Sequence, residues 1–293
     1  MINNNNNNFF NTDNDTPMII PQQNDTSSPA PSITFATHNV NSLQCSIKNQ
    51  FINDSFSDFN TDFVGLTETR HKADQTFRNL SDLTYTSYWS NNINPYVGVG
   101  ILIKKSWAIY VQKAFLNHNR FIYVDLYLAG NVKLRIFCIY LHASTETRIK
   151  QERMKLHKEI INHIKEGLKS DFRTIILGDF NANLDTYWSL VRNGKSIHWQ
   201  MEFYQKLFAL NFLDLYDICH DTPQPTYNSG PYSSRIDTIF ASPNLTSEFL
   251  FSYIDTLTFI LLIIKSFLLL SQIFANSNLP DLVIYKTKGK FPT

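Results

Sequence analysis

Thr174–Asn183, TIILGDFNAN, constrains the fold more than any other stretch: an apolar strand core breaks off abruptly into a polar loop. Ile175, Ile176 and Leu177 form a run suited to a strand covered on both faces, and Gly178 lets another backbone approach closely. If the extended conformation continues to Asn181, then Asp179 and Asn181 share a face, because strand side chains repeat every two residues. A carboxylate beside a carboxamide at a sheet edge suits a hard cation, with the amide as an uncharged donor to a water or phosphate. Asp and Asn are equally common in solvated turns, and the decapeptide alone leaves both readings open.

The stretches around it read as strands and helices in alternation. Ser32–Val40 alternates Ile33, Phe35 and Thr37 against Thr34, Ala36 and His38, which predicts a first strand ending at Asn39-Val40-Asn41. Residues 44–60 space Ile47, Phe51, Ile52, Phe56 and Phe59 helically, and Asp62–Thr67 predicts a buried strand ending in Glu68-Thr69-Arg70. Glu68 is by itself an ordinary strand-end glutamate. Tyr85–Ser90, Gly98–Lys104, Arg120–Leu128 and Val132–Leu141 are further strands, the last two a hairpin around Gly130-Asn131. Tyr140 ends an inward row of Val132, Leu134, Ile136 and Cys138, where a core tyrosine is the plain reading. Residues 146–169 place Ile149, Leu156, Ile160, Ile161, Ile164 and Leu168 on one helical stripe, with Lys150, Arg153, Lys155, Lys158 and Glu166 facing out. A second helix is expected over about Ile197–Leu210. In Ser233–Ala241, SSRIDTIFA, Asp237 sits in a short apolar strand, where a carboxylate requires a cation or strong donor, and Arg235 points to the other face.

Composition narrows the alternatives. With 43% hydrophobic and 17% charged residues, the chain can build one large core or two small ones. A net charge of +1 provides no global basic field for nucleic acid, only room for a local phosphate patch. Cys45, Cys138 and Cys219 are too few and scattered for a disulfide framework or a zinc site, which makes a reducing, intracellular setting the default. Residues 1–31, with a run of six asparagines, offer almost nothing to bury and are expected to be a disordered tail.

Asn39, Glu68, Tyr140, the GDFNA stretch at Gly178–Ala182, Thr226 and the SRIDTIF stretch at Ser234–Phe240 occur in the order of the endonuclease/exonuclease/phosphatase superfamily. Over about residues 33–245 the chain most resembles the apurinic-endonuclease-like domains of LINE-type retrotransposons. The resemblance implies an α/β fold, a four-layer α/β/β/α sandwich of two packed mixed sheets, over residues 32–256. It also implies phosphodiester or phosphomonoester cleavage with Mg²⁺ or Mn²⁺, duplex DNA as substrate, a monomer and nuclear localisation. Glu68 would be the main metal ligand, supported by Asn39. Asp179 would orient or deprotonate the attacking water, Asn181 and Thr226 would meet phosphate, Tyr140 would sit at the scissile phosphate, and Asp237 would fix a histidine. Two alternatives stand beside this reading: a phosphatase or phosphodiesterase acting on inositol phosphates or lipids, and a catalytically dead remnant.

The end of the chain departs from the pattern. Members close with Asp-His some tens of residues after SRID, but no histidine follows Asp237, and neither Asp255 nor Asp281 precedes one. Leu257–Phe274 is instead apolar apart from Lys265 and small polar residues. Three readings are open: a transmembrane tail anchor with the basic tail 275–293 on the cytosolic side, sequence under no selection for a fold, and a compensating core helix.

Overall fold

The computed structural model describes residues 32–71, 84–91, 94, 96–144, 146–220, 222, 224–254 and 259–265. The expected tails 1–31 and 275–293, the remainder of the apolar segment, Asp255 and Asp281 lie outside these residues. The first half runs β1 (Ser32–Asn39), α1 (Ser46–Asp58), β2 (Phe63–Thr67), β3 (Tyr85–Trp89), β4 (Val99–Lys104), α2 (Lys105–Ala108), β5 (Val111–Phe115), β6 (Phe121–Tyr127) and β7 (Lys133–Tyr140). The second half runs α3 (Thr147–Lys169), β8 (Phe172–Asp179), α4 (Leu184–Arg192), α5 (Glu202–Phe208), β9 (Leu213–Asp214), α6 (Leu215–Cys219), β10 (Tyr227–Ser229), β11 (Tyr232–Ser234), β12 (Asp237–Ala241), β13 (Phe249–Ile254) and β14 (Phe259–Lys265).

The strands form two six-stranded sheets, in the orders β13-β14-β1-β2-β4-β3 and β5-β6-β7-β8-β12-β9, and a separate β10-β11 hairpin. Both large sheets are mixed, since β1 runs parallel to β2 and β7 runs parallel to β8 within otherwise antiparallel neighbours. Strand alternation assigns the layers. Phe35, Phe63, Ile101, Ile136, Cys138, Ile175, Leu177 and Ile239 meet in one core between the sheets. Their neighbours Ala36, Val64, Leu66 and Leu102 pack with Ile52 and Phe56 of α1. On the far side Phe137, Ile139, Ile176 and Phe240 pack with Leu156, Ile160 and Ile164 of α3 and Phe203 and Leu207 of α5. The result is the four-layer α/β/β/α sandwich.

Gly65, in the middle of β2, permits the two sheets to approach, and Gly178, near the end of β8, permits close pairing with β7. A Cβ on Gly65 would lie 1.7 Å from Leu177 Cδ1, and Gly178 combines φ +141° with a would-be Cβ 2.0 Å from the Ile139 carbonyl oxygen.

The apolar C-terminal segment does not behave as an anchor where it is described. Phe259–Lys265 is β14, inserted between β13 and β1 and paired antiparallel from Ser32↔Lys265 to His38↔Phe259. Among the described residues no helix is long and apolar enough to cross a membrane. The continuous apolar run reflects a strand flanked on both sides, a pattern that hydropathy alone does not distinguish from a helix. The sheet therefore continues past residue 256, and neither the tail anchor nor the core helix describes residues 259–265.

Candidate active site

The ends of β1, β2, β7, β8 and β12 converge, and the local chain explains how each side chain is presented. After β2 the backbone turns sharply: Glu68 and Arg70 adopt left-handed φ values of +52° and +51°. Such conformations are costly for residues with a Cβ and persist where the surroundings over-determine them. Here Ser42 N–H donates to the Glu68 carbonyl (2.7 Å), and Thr69 and Arg70 N–H donate to Gly98 and Val97 (3.1 Å each). The turn aims the Glu68 carboxylate at the second sheet. Asn39 Nδ2 then bridges Glu68 Oε1 (3.1 Å) and Asp179 Oδ2 (2.9 Å), and the Tyr140 hydroxyl donates to Glu68 Oε1 (3.1 Å). Four residues that sequence reasoning placed in one site thus form one hydrogen-bonded group drawn from both sheets.

Three assignments change in detail. The extended conformation does not continue to Asn181, which has φ +47°; its N–H donates to Asp179 Oδ1 (2.8 Å) and its Nδ2 to the Leu141 carbonyl (2.9 Å). Asp179 and Asn181 are related by this tight turn, not by strand alternation. Asn183, the last residue of the decapeptide, caps α4 by accepting from the N–H groups of Asp185 and Thr186. Thr226 is buried, and its hydroxyl accepts from the N–H groups of Ile236 and Asp237 (3.1 Å each), which braces Asp237. Asp237 begins β12 directly opposite Asp179 in the β8 register, which sets a second carboxylate beside it.

Glu68, Asp179 and Asp237 influence one another's protonation. Burial lifts the Asp179 carboxyl to about 7, and the Glu68 charge adds to this while Asn181, Asn39 and Arg153 oppose it. Burial, then the charges of Asp179 and Glu68, hold Asp237 well above the usual carboxylate range. For Glu68 burial acts upward, yet hydrogen bonds from Asn39, Arg70 and Tyr140 prevail and its pKa is lowered. Burial and the Glu68 charge keep the Tyr140 hydroxyl protonated. Arg70, 40% exposed, is the cation in contact, 2.7 Å from Glu68 Oε2.

Sequence reasoning missed Arg153. Placed on the outward face of α3, it is completely buried and donates to the carbonyls of His142, Phe180 (3.0 Å) and Gln200 (2.7 Å). It therefore fastens the segment after Tyr140 to the turn between Asp179 and Asn181. The available signal was its spacing, three residues before Leu156 and seven before Ile160, on the apolar stripe.

Among the described residues no three His, Cys, Asp or Glu side chains are grouped to hold an ion by themselves. Glu68 with Asn39 instead offers one carboxylate and one carboxamide, a half-site suited to a hard cation that retains several waters. Asp237 Oδ1 is buried without a hydrogen-bond partner, and burial together with the neighbouring carboxylates raises the pKa of both Asp179 and Asp237. On that donor set and charge balance, a divalent cation fits.

The model of the Endonuclease/Exonuclease/phosphatase family matches residues 36–260. The chain belongs to this family. Its fold is similar to that of a Neisseria 3′ phosphatase solved with a product DNA hairpin (TM-score 0.64, 17% identity, 78% of this chain and 98% of that one). It is also similar to the AP endonuclease LMAP from Leishmania major (TM-score 0.65, 14% identity, 80% and 88%) and an AP endonuclease from Archaeoglobus fulgidus (TM-score 0.61, 14% identity, 79% and 98%). No curated protein matches the chain by sequence. At these identities the structures establish the endonuclease/exonuclease/phosphatase fold and nothing finer.

Proposed function

We propose that the chain is a divalent-cation-dependent phosphodiesterase acting on duplex DNA, of the retrotransposon-endonuclease type, working slowly because its closing histidine is missing. The observation that carries this reading is the group in which Asn39 and Tyr140 join Glu68 to Asp179 across the two sheets. Asp179, poised near neutrality, is suited to take a proton from an attacking water. Asn181, held by Leu141 and by the Asp179 carboxylate, keeps a second amide hydrogen for a phosphate oxygen. Tyr140 stays protonated and serves as a donor beside Glu68. A Mg²⁺ or Mn²⁺ ion at Glu68 and Asn39 would supply charge to offset the developing negative charge on the phosphoryl group.

DNA is favoured over lipid or inositol headgroups because the similar structures include AP endonucleases and a phosphatase bound to DNA. Residues 259–265 form a sheet strand and so lend no support to the membrane contact that would suit a lipid substrate. Chain order leaves Asp255-Thr256 shortly before β14, with threonine where the family pattern calls for histidine.

The test is relaxation of supercoiled plasmid in Mg²⁺. The expected result is slow nicking that Asp179→Ala abolishes and Thr256→His raises by about 10²-fold or more, the usual contribution of a positioned proton-transfer group. Nicking at the same rate in Asp179→Ala would refute the reading. A chain that neither nicks nor binds duplex would be the inert remnant.

A further inference from the structure

Glu68 reaches the second sheet through an unfavourable backbone, with left-handed φ at Glu68 and again at Arg70 (+52° and +51°). Thr69, between them, is completely buried and engaged at every polar atom. Its N–H donates to the Gly98 carbonyl (3.1 Å), its carbonyl accepts from Leu43 N–H (3.0 Å), and its hydroxyl meets His71 Nδ1 at 2.7 Å. His71 is buried too. Its other nitrogen, Nε2, lies 3.0 Å from the Ser90 carbonyl, and its ring packs edge-on against Trp89 with centroids 5.5 Å apart. Ser90 in turn joins Val99 twice, donating its N–H to the Val99 carbonyl (3.0 Å) and accepting from Val99 N–H at its hydroxyl (3.1 Å). Val99 directly follows Val97 and Gly98, whose carbonyls hold the turn. The bonds therefore close a ring, from the turn through His71 to the end of β3, across to the start of β4 and back.

A carbonyl only accepts, so Nε2 carries the ring proton. In the neutral ring, which burial favours by lowering the His71 pKa, Nδ1 is then an acceptor and the Thr69 hydroxyl its donor. One ring with a donor on one side and an acceptor on the other thus ties two separate segments together. We infer that His71 is a positioning residue, a strut that holds Thr69 and, through its peptide, aims the Glu68 carboxylate at Asn39, Tyr140 and the cation. A histidine that merely filled the core would affect stability when replaced, but not the direction of Glu68. The inference rests on the divalent-cation reading for its ligand and not for the geometry, because Asn39 and Tyr140 register where the carboxylate points.

The experiment compares three variants of the full chain. His71→Phe keeps a ring beside Trp89 but loses both nitrogens, Thr69→Val loses only the hydroxyl, and Thr69→Ser keeps it. Without metal, the readout is the Asn39 side-chain amide resonance, assigned by its loss in Asn39→Asp, since that amide donates to Glu68 and Asp179. With Mg²⁺, it is the calorimetric Kd. His71→Phe and Thr69→Val should both shift the resonance and weaken Mg²⁺ about tenfold, the low end for residues that orient a ligand from behind. Thr69→Ser should restore both. Ile164→Val, under α3, should lower thermal stability and move neither. Should His71→Phe fail to fold, Thr69→Val carries the test. An Asn39 resonance unmoved in folded Thr69→Val, or an equal loss of Mg²⁺ affinity in Ile164→Val, would overturn the assignment. If the parent binds no Mg²⁺ yet the resonance shifts, the cation reading falls and the positioning of Glu68 stands.

Discussion

Two groups of three carboxylates in this chain are built on opposite principles. Asp185, Asp214 and Asp217 surround Arg235, whose fully buried guanidinium contacts Asp214, Asp217 (2.6 Å) and Asp185 (2.9 Å) and lies over the Tyr216 ring. Glu68, Asp179 and Asp237 converge with no buried cation in ion-pair contact among the described residues: Arg70 on Glu68 is half-exposed, Asn39 is a neutral amide, and buried Arg153 acts on Asp179 without pairing to it. The first group carries its own counter-charge and welds α4, α6 and the SRID strand together. Burial and the Asp214 charge raise the pKa of Asp217 of the first group as well, to about 6 against the pull of Arg235, so the difference lies in the contacts: Asp179 and Asp237 are raised without a cation in contact among the described residues, and one oxygen of Asp237 has no partner. Carboxylates that are not neutralised within the fold mark the place where something positive is meant to arrive.

The largest expected effect tests the neutralised group. Arg235→Met would leave three aspartates facing one another and should cost about 3–5 kcal/mol in urea unfolding, as breaking a buried ion pair from one side does. A loss below about 1 kcal/mol would dissolve the contrast, since both groups would then tolerate missing charge.

A smaller effect of opposite sign is expected in the other group. Folded Asp179 keeps its proton to about pH 7, whereas an unfolded aspartate releases it near pH 4. The folded chain therefore binds more protons between these values, and this residue's contribution to stability declines as pH rises from about 4 to about 7. Asp179→Asn should remove the decline, making the variant more stable than the parent at pH 8 without added metal by at most about 4 kcal/mol, with the difference vanishing near pH 4. A variant that is less stable at pH 8 would show that the fold already compensates this carboxylate.

What was legible in the sequence follows the same division between what is periodic and what is decided by neighbours. β1, β2, β3, β4, β6 and β7 were read to within about a residue at each end because their faces repeat against defined cores, whereas β8 begins earlier, at Phe172, and stops at Asp179 before the turn at Asn181. β5 was missed because VQKAF is a largely exposed edge strand with little apolar pattern, and α4 because it buries only Leu184 and Tyr187. Asn39, Glu68, Tyr140 and Asp179 were found by their order and their places at strand ends. That Asp237 faces Asp179 depends on the antiparallel register of β12 on β8, which no local pattern encodes. Arg153 was assigned outward on its charge, when its spacing placed it among the buried residues of α3. The segment containing β14 was read from hydropathy, which reports burial but not whether lipid or a neighbouring strand provides it.

The most direct test of this contrast is calorimetric titration of Mg²⁺ into the full chain at pH 8, with thermal unfolding followed at the same ion concentrations. The account predicts one saturable site and a gain of about 1 kcal/mol when free ion is about five times its Kd, smaller at pH 5 and absent in Glu68→Gln. Absence of binding, or binding of equal strength in Glu68→Gln, would contradict the proposal that the Glu68–Asn39 half-site, with Asp179 and Asp237 beside it, takes a divalent cation.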